Sequence, residues 1–309
     1  MNVSSNNYDI IIIGGGPGGL CAGMYTARSR LATLLIERGA IGGQIINTQL
    51  VENYPGFPDG ISGIDLTELM HKQAEKYGIE TLVDEATGVE LSGDPKTITT
   101  GGGSYTARAI IIASGSERQK LGVPGEAEFT GRGVSYCATC DGAFFQDKPV
   151  AVVGGGNAAI TEALELTKFA SKVSVIHRRD ELRATKILQE KALANPKIEV
   201  QWNSVMDEIT GDTFVSGIKL SNVKTREKSD LDVAGVFMAI GFKPNTGYLQ
   251  GAVELDKNNA IITDDKMATN VPGVYAVGDI RSGSIRQVIA ATGDGAVAAV
   301  NAEKYIVEL

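Results

Sequence analysis

One pattern occurs twice in this chain of 309 residues, at an offset of 140 residues between Gly14 and Gly154. Residues 10–38 read IIIIGGGPGGLCAGMYTARSRLATLLIER, and residues 151–179 read AVVGGGNAAITEALELTKFASKVSVIHRR. In each copy a short apolar run ends at glycines, a helical pattern follows, and a second apolar run comes next. This is the order of a βαβ unit, so the repeat predicts two dinucleotide-binding domains built on parallel sheets.

Further apolar runs end at glycine and predict more buried strands, at residues 107–115, 234–241 and 273–279. The polar segment 116–126 is typical of a linker, and a second break falls at 241–247. The C-terminal stretch has no glycine turn of its own, so we expect it to complete the first domain. The second domain is then an insertion, joined by two strands that can serve as a hinge. The predicted fold class is α/β, with two Rossmann-like domains of the three-layer ββα type.

The first glycine turn is a candidate nucleotide site. Gly14, Gly16 and Gly19 satisfy G-x-G-x-x-G directly after a strand, where glycines allow a tight turn and close approach of a pyrophosphate. The N–H groups at the start of the helix would face the phosphates. Glu37 ends the second strand, where a carboxylate accepts hydrogen bonds from an adenosine ribose and repels a 2′-phosphate. The combination favours FAD or NAD over a merely structural turn.

The second turn carries the motif Gly154-x-Gly156-x-x-Ala159, and the end of its second strand differs from that of the first copy. Where the first copy has Glu37, the second has HRRDELR, a cluster that contains His177, Arg178, Arg179 and Arg183. Arginine forks bind phosphate in a bidentate manner, so we interpret the cluster as the partner of an NADP 2′-phosphate rather than an ordinary solvated charge run. An acid-tipped and an arginine-tipped site together suggest FAD in one, NADPH in the other, and hydride transfer between them.

Two of the three cysteines, Cys137 and Cys140, form a CxxC just before the second turn. Zinc would need four ligands, and beyond this pair the chain offers only Cys21, His71 and His177, so no second half-site remains. A purely structural disulfide is also disfavoured, because so short a loop constrains little unfolded-chain entropy. We therefore interpret the pair as redox-active, with Asp141 placed to deliver or accept a proton.

Composition narrows the classes of partner and compartment. The net charge is −8, which argues against nucleic-acid binding. No apolar run approaches the ~20 residues of a membrane helix, and the polar N-terminal stretch MNVSSNNYD does not resemble a signal peptide. Three cysteines fit a reducing compartment, so we expect a cytoplasmic protein that binds neither membrane nor metal.

With these residues in place, the chain resembles the low-molecular-weight, bacterial-type thioredoxin reductases, a group of FAD- and NADPH-dependent pyridine nucleotide-disulfide oxidoreductases. The resemblance covers essentially the whole length. It rests on GGGPGG, GGQ (42–44), VENYPGF (51–57), CATCDGAFF, GGGNAA, HRRDELRA, AIGFKPNT, and GVYAVGD followed by IRQ (285–287). Two small departures are Ala158, where many relatives carry Ser or Thr, and ASGS at 113–116, where relatives often read ATGA.

The resemblance implies a role for each matching position. Residues 1–118 and 246–309 would form the FAD domain, and 119–245 the NADPH domain with the CxxC. FAD contacts would come from Gly14, Gly16, Gly19, Glu37, Gln44, Asn53, Asp279 and Gln287, with Asp279 on the ribityl chain. NADPH contacts would come from Gly154, Gly156 and Asn157 at the pyrophosphate and from Arg178, Arg179 and Arg183 at the 2′-phosphate.

The resemblance also implies a direction for the thiol chemistry. Cys140 would lie against the flavin and take its electrons, Cys137 would attack the disulfide of thioredoxin, and Asp141 would be the acid/base. Members of the group are homodimers whose NADPH domain rotates to bring nicotinamide and cysteine pair to the flavin in turn.

Alternative functions differ in the electron acceptor. The same chemistry could serve a glutaredoxin-like protein, a peroxiredoxin-linked protein or a small dithiol, although reductases of peroxiredoxins usually carry an added N-terminal thioredoxin-like domain. An NADPH–ferredoxin-type flavoprotein reductase is disfavoured because relatives of that kind lack the CxxC. A non-catalytic nucleotide sensor or zinc-binding scaffold would purify as a colourless protein.

Overall fold

The computed structural model describes residues 6–48 and 50–308. Residues 1–5, part of the N-terminal stretch interpreted above as lacking a signal peptide, lie outside the described residues, as do Gln49 and Leu309. The chain divides into two compact units. Unit 1 comprises Met1–Glu117 and Lys243–Leu309, and unit 2 comprises Arg118–Phe242.

Strands and helices alternate around the two glycine turns, whereas two longer stretches of the chain contain strands in succession. The strands are β1 (Asn7–Ile13), β2 (Thr33–Glu37), β3 (Glu80–Val83), β4 (Ala86–Glu90), β5 (Lys96–Thr100), β6 (Gly103–Ile112), β7 (Ser116–Arg118), β8 (Val134–Ser135), β9 (Pro149–Val153), β10 (Lys172–Ile176), β11 (Ile198–Gln201), β12 (Ser204–Gly211), β13 (Val215–Asn222), β14 (Lys228–Asp232), β15 (Gly235–Met238), β16 (Phe242–Pro244) and β17 (Val274–Ala276). The helices are α1 (Pro17–Arg28), α2 (Gly63–Glu75), α3 (Ala138–Asp141), α4 (Asn157–Leu166), α5 (Lys186–Leu193) and α6 (Val288–Glu308). Short 3-10 helices cover Gly43–Asn47, Gly142–Phe145, Gly247–Leu249 and Gly278–Ile280.

Unit 1 is built on a seven-stranded sheet of order β3-β2-β1-β6-β5-β4, with β17 paired to β6. Strands β1, β2, β3, β6 and β17 pair in parallel, whereas β4, β5 and β6 form an antiparallel meander. The four isoleucines of β1 bury alternate side chains in two separate clusters, Ile10 and Ile12 on one face and Ile11 and Ile13 on the other. A strand buried on both faces reads as a continuous apolar run, which is why this one was recognisable in the sequence.

Helices α1 and α6 cover one face of this sheet. Small residues allow a close approach, since a Cβ on Gly295 of α6 would lie only 3.1 Å from the backbone nitrogen of Ala22 in α1. The buried Ala298, Ala299 and Ala302 of α6 belong to the same cluster as Ile10 and Ile12. The small Ala and Gly residues of α6 therefore form the surface that packs closely against α1, the helix that follows the first glycine turn.

Unit 2 has three layers. A five-stranded parallel sheet of order β11-β10-β9-β15-β8 carries α4 and α5 on one face, where Ile160 and Ala163 pack with Val150 and Phe237. The three-stranded antiparallel sheet β12-β13-β14 covers the other face, and its Ile209 belongs to the cluster there. The predicted α/β class with three-layer ββα organisation is confirmed.

The chain passes between the units at two places, and these two segments pair with each other as β7 and β16. Within residues 6–48 and 50–308, no helix has both the length and the apolarity needed to cross a membrane.

Candidate functional site

The three glycines of the first turn differ in how much space surrounds them. Gly14 has φ +110°, and a Cβ there would lie 2.6 Å from the carbonyl carbon of Ala113. A Cβ on Gly19 would overlap the carbonyl oxygen of Gly14. By contrast, the nearest atom to a Cβ on Gly16 is the Cα of Gly43, at 3.9 Å. The first and third glycines are thus required by the fold, while Gly16 leaves room beside the N-terminus of α1.

Replacing Gly19 by alanine should lower the free energy of unfolding of unit 1 by about 2 kcal/mol, because the methyl group has no space at the Gly14 carbonyl. Helix propensity alone predicts the opposite, a gain of about 1 kcal/mol for glycine to alanine. Gly293→Ala in α6 is the matched control, since nothing lies within 4 Å of a Cβ there, and it should be neutral or stabilising. Urea unfolding followed by circular dichroism measures both. Equal effects of the two variants would contradict the steric account.

Glu37 is fixed beside this turn at the end of β2. Its Oε2 accepts a hydrogen bond from the Gly15 N–H at 2.7 Å, and its Oε1 accepts one from the Gly39 N–H at 3.0 Å. A carboxylate has about four acceptor positions, so further donors can still be accommodated. The side chain is therefore oriented by the backbone and is suited to accept from the two hydroxyls of a ribose.

The other candidate flavin residues lie on short irregular segments of unit 1. Gln44 belongs to the 3-10 helix Gly43–Asn47, whose first residue lies against Gly16. Asn53 and Gln287 are brought together from opposite ends of the chain, with the Asn53 Nδ2 donating to the Gln287 Oε1 at 3.0 Å. Asp279 lies in the 3-10 helix Gly278–Ile280, just after β17, and its Oδ1 accepts from the Ser284 hydroxyl at 3.2 Å.

An ion pair that the sequence did not reveal supports the Asp279 segment. The Asp294 carboxylate accepts from the Arg281 guanidinium at 2.7 and 3.1 Å, and also from the Gly278 N–H at 3.1 Å. Arg281 additionally donates to the Thr263 hydroxyl at 3.2 Å. Both charged side chains are mostly buried. The bidentate pair therefore fixes the backbone on either side of Asp279.

Replacing Asp294 by asparagine should lower the free energy of unfolding of unit 1 by about 2 kcal/mol, because Arg281 keeps its charge but loses its anionic partner in a largely buried place. Thermal or urea unfolding of the purified protein measures the loss. Glu68→Gln is a control that removes the exposed partner of Lys72, and it should cost less than about 1 kcal/mol. A cost for Asp294→Asn no larger than that of the control would disprove the role assigned to the pair.

In unit 2, the glycines of the second turn also differ in how much space surrounds them. Gly154 has φ +149°, and a Cβ there would lie 2.6 Å from the carbonyl oxygen of Ala239. Around Gly156 nothing lies within 4 Å of a Cβ position, and α4 begins at the next residue. The Asn157 Oδ1 accepts from the Thr185 N–H at 2.8 Å, which joins the start of α4 to the end of the arginine loop. The space beside Gly156 suits a pyrophosphate.

The three arginines predicted to bind a 2′-phosphate lie together. Arg178, Arg179 and Arg183 are exposed and line one open cavity of about 490 Å³. The loop is fastened to the glycine turn, because the Arg183 N–H donates to the Gly155 carbonyl at 2.7 Å. Guanidinium groups in an open cavity next to a nucleotide turn form a suitable receptor for a phosphate.

His177 is not a member of the exposed cluster in which the sequence placed it. Its ring is buried, its Nε2 lies 3.0 Å from the Glu181 carbonyl, and a Cβ on Gly155 would lie 2.7 Å from its Cγ. Burial lowers the pKa of His177, and the neighbouring arginines lower it further. A lowered pKa keeps the ring neutral at pH 7, so His177 supports the turn as a packing residue rather than binding phosphate as a cation.

The cysteine pair lies at the start of the one-turn helix α3. Cys137 and Cys140 are joined by a disulfide with a Cα–Cα distance of 5.3 Å, and both are half-buried. Cys137 caps the helix, and its Sγ accepts from the Cys140 N–H at 3.2 Å. A sulfur that accepts a backbone N–H is favoured as a thiolate once the disulfide is reduced. Among the described residues, no three His, Cys, Asp or Glu side chains gather as they would around a metal ion.

Ser135, which the sequence reasoning missed, connects the pair to Asp141. The Ser135 hydroxyl donates to the Asp141 Oδ2 at 2.6 Å and accepts from the Cys137 N–H at 3.1 Å. The serine is buried, while Asp141 is half-buried. The carboxylate is thereby held on the same short helix as the disulfide, with one fixed hydrogen bond and further acceptor positions.

Glu126 fastens the segment that the sequence suggested as a linker. It is buried, and its carboxylate accepts from the N–H groups of Leu121 and Gly122 and from the Tyr136 hydroxyl at 3.0 Å. Burial, and then the hydrogen bond to Glu126, raise the pKa of Tyr136 to about 12. The residue before Cys137 is thus a neutral hydrogen-bond donor, and the segment is held in place by a buried acid.

The third cysteine is chemically quiet. Cys21 lies in α1, and burial raises the pKa of its thiol to about 11. Cys21 therefore stays protonated at neutral pH, and it is unreactive because the thiolate is the reactive form. This agrees with the packing role that its position after the first glycine turn predicts.

Comparisons with known proteins give a consistent picture. Residues 8–295 match the family described as pyridine nucleotide-disulphide oxidoreductase. The chain is 48% identical over 303 residues to the thioredoxin reductase of Listeria monocytogenes, covering 98% of this chain and 95% of the relative. It is 49% identical over 300 residues to that of Treponema pallidum, covering 97% of each. The crystal structure of thioredoxin reductase from Streptococcus pyogenes matches with a TM-score of 0.94 and 47% identity, over 99% of this chain and all of that one.

Proposed function

The chain belongs to the pyridine nucleotide-disulphide oxidoreductases, and we propose that within this family it is a thioredoxin-disulfide reductase that uses NADPH and FAD. It is an oxidoreductase, and the family implies the use of a flavin and a nicotinamide nucleotide. The observation that carries the proposal is the Cys137–Cys140 disulfide, which lies in the same unit as a glycine turn with an arginine-lined cavity.

Unit 1 fits FAD. The space beside Gly16 would take the pyrophosphate, and the oriented Glu37 carboxylate would accept from the adenosine ribose. The remaining contacts are proposed at Gly14, Gly19, Gln44, Asn53, Asp279 and Gln287. Bound FAD supplies the two-electron chemistry that connects a nicotinamide to a disulfide. The chain itself provides shape, orientation and hydrogen-bond acceptors here.

Unit 2 fits NADPH. Gly154 and Gly156 form the turn, Asn157 begins α4, and Arg178, Arg179 and Arg183 offer guanidinium groups for the 2′-phosphate. The Ala158 side chain has no hydroxyl to donate to a phosphate, so the arginines carry more of the side-chain binding.

The thiols exchange electrons with thioredoxin in two balanced steps. In the reduced enzyme, the Cys137 thiolate attacks one sulfur of the thioredoxin disulfide, forming a mixed disulfide and releasing one thiolate, which takes a proton. The Cys140 thiolate then attacks Cys137, restores the Cys137–Cys140 bond and releases the second thiol. Asp141, held by Ser135, takes the proton from a cysteine thiol and returns it to a leaving thiolate. Thioredoxin gains two electrons and two protons.

We also propose a homodimer and a cytoplasmic location. Helix α6 presents several exposed apolar side chains, which supports burial against a second copy; they are Ile289, Val297, Val300 and Val307. Light scattering of the purified protein tests the dimer. The free thiol of Cys21, and the catalytic role proposed for the Cys137–Cys140 disulfide, agree with a reducing compartment.

An anaerobic reductive titration tests the assignment of the disulfide to catalysis. The proposal predicts uptake of about four electrons per chain, shared between a flavin and the Cys137–Cys140 pair. Uptake of only about two would favour a ferredoxin-type reductase in which the cysteines take no part. The remaining alternative is a different disulfide acceptor, and turnover with a glutaredoxin-like protein in place of thioredoxin tests it. Faster turnover with that acceptor than with thioredoxin would change the substrate assignment.

A further inference from the structure

A lysine far from the nucleotide motif shares the cavity of the three arginines. Lys224 follows β13, on the turn that leads to β14, and it lines the same open cavity as Arg178, Arg179 and Arg183. The antiparallel sheet that carries it was not predicted from the sequence. Four cationic side chains thus face one cavity of about 490 Å³.

Backbone hydrogen bonds hold the Lys224 turn against the arginine loop. The Val223 N–H donates to the Asn203 carbonyl at 2.7 Å, and the Asn203 N–H donates to the Arg179 carbonyl at 3.1 Å. The Asn222 Oδ1 accepts from the Lys224 N–H at 2.9 Å, which fixes the turn itself. These hydrogen bonds therefore hold the backbone of the Lys224 turn beside the cavity.

The Lys224 ammonium is paired with Asp180, which also lines the cavity. Both side chains are more than half exposed, and an exposed ion pair of this kind is weak. The hydrogen bond from Lys224 lowers the pKa of Asp180, so the carboxylate is charged at neutral pH. Without the lysine, this carboxylate would repel a phosphate placed among the arginines.

We propose that Lys224 is a specificity-determining residue for the nucleotide, and that its ammonium leaves Asp180 to donate to the 2′-phosphate beside Arg178, Arg179 and Arg183. The inference rests on the proposed function, because it assumes that the cavity takes the 2′-phosphate of NADPH. A dianionic phosphate offers the ammonium more charge and more acceptor positions than a single carboxylate does.

Equilibrium binding of NADP⁺ and NAD⁺ to the flavin-loaded protein tests the proposal. Calorimetry gives the dissociation constants. The fluorescence of Trp202 gives a second readout, because this single tryptophan precedes Asn203, which lines the cavity. Lys224→Ala should weaken NADP⁺ binding about three- to ten-fold and lower the NADP⁺ over NAD⁺ preference by the same factor. Lys224→Arg should keep most of the preference.

Lys219→Ala is the matched control. Lys219 is also exposed and paired, with Glu208 at 2.8 Å on the same antiparallel sheet, but it does not line the cavity. It should leave the preference unchanged. A preference in Lys224→Ala equal to that of the wild type and of Lys219→Ala would overturn the proposal.

Variants that lack the Asp180 charge show whether Lys224 contacts the 2′-phosphate directly or acts only through Asp180. Asp180→Asn should strengthen NADP⁺ binding, and Asp180→Asn/Lys224→Ala should bind it less tightly than Asp180→Asn does. Equal affinities of these two variants would overturn the direct role of the lysine. A wild-type protein that prefers NAD⁺ would instead overturn the NADPH assignment itself, so the two failures are distinguishable.

Discussion

Cys140→Ser is expected to reduce NADPH-dependent reduction of thioredoxin by about 10³-fold or more. The variant keeps the Cys137 sulfur but cannot close the Cys137–Cys140 bond, so it has no dithiol with which to release thioredoxin from a mixed disulfide. Steady-state assays with oxidised thioredoxin measure the loss. The variant should purify with the flavin content of the wild type, because the proposed flavin residues lie in unit 1 and Cys140 lies in unit 2.

Cys21→Ala is the matched cysteine control. Its thiol is largely buried in α1 and protonated at neutral pH, so removing it should leave turnover within about two-fold of the wild type. Near-normal turnover in Cys140→Ser would show that the disulfide is not used. Comparable losses in both variants would show that the assay reports stability instead of thiol exchange.

Asp141→Asn is expected to lower kcat for thioredoxin reduction by about 10²-fold at neutral pH. The amide oxygen can still accept from the Ser135 hydroxyl, so the helix and the disulfide should be preserved, while proton transfer is lost. Stopped-flow or steady-state kinetics at several pH values measures the deficit. At alkaline pH a cysteine thiol ionises without a base.

The deficit of Asp141→Asn should therefore shrink as the pH rises into the alkaline range, whereas a merely structural defect would be the same at all pH values. Unchanged turnover at neutral pH would remove Asp141 from the proton-transfer role. The Ser135→Ala variant, which loses only the orienting hydroxyl, should show a smaller deficit of the same pH dependence.

The local pattern of the sequence predicted much of the fold because glycine turns and doubly buried strands are local features. Ile10–Ile13 and Val150–Val153 are apolar at every position, since each strand contributes to two clusters. Gly14 and Gly154 are required by close backbone contacts in space, and their spacing is visible in the sequence. The turn glycines, Glu37 and the arginine cluster followed from the same repeat, whereas the other candidate nucleotide residues followed only from the family resemblance; these are Gln44, Asn53, Asn157, Asp279 and Gln287.

The parts that the sequence did not reveal depend on contacts between distant segments. Strands β12, β13 and β14 mix buried and exposed residues, so no continuous apolar run marked them. Asp294 reaches Gly278 and Arg281 only because α6 packs beside β17. Lys224 reaches the arginine cavity from the turn between β13 and β14, and the sheet that carries this turn has no counterpart in the repeat.

Oxidation of NADPH by the purified protein after loading with FAD, with oxidised thioredoxin present or absent, tests the central claim most directly. We predict that NADPH is consumed in step with the appearance of thioredoxin thiols, that consumption nearly stops without thioredoxin, and that NADH is a markedly poorer donor because it lacks the 2′-phosphate for Arg178, Arg179 and Arg183. Consumption that does not depend on thioredoxin, or faster turnover with NADH, would contradict the account.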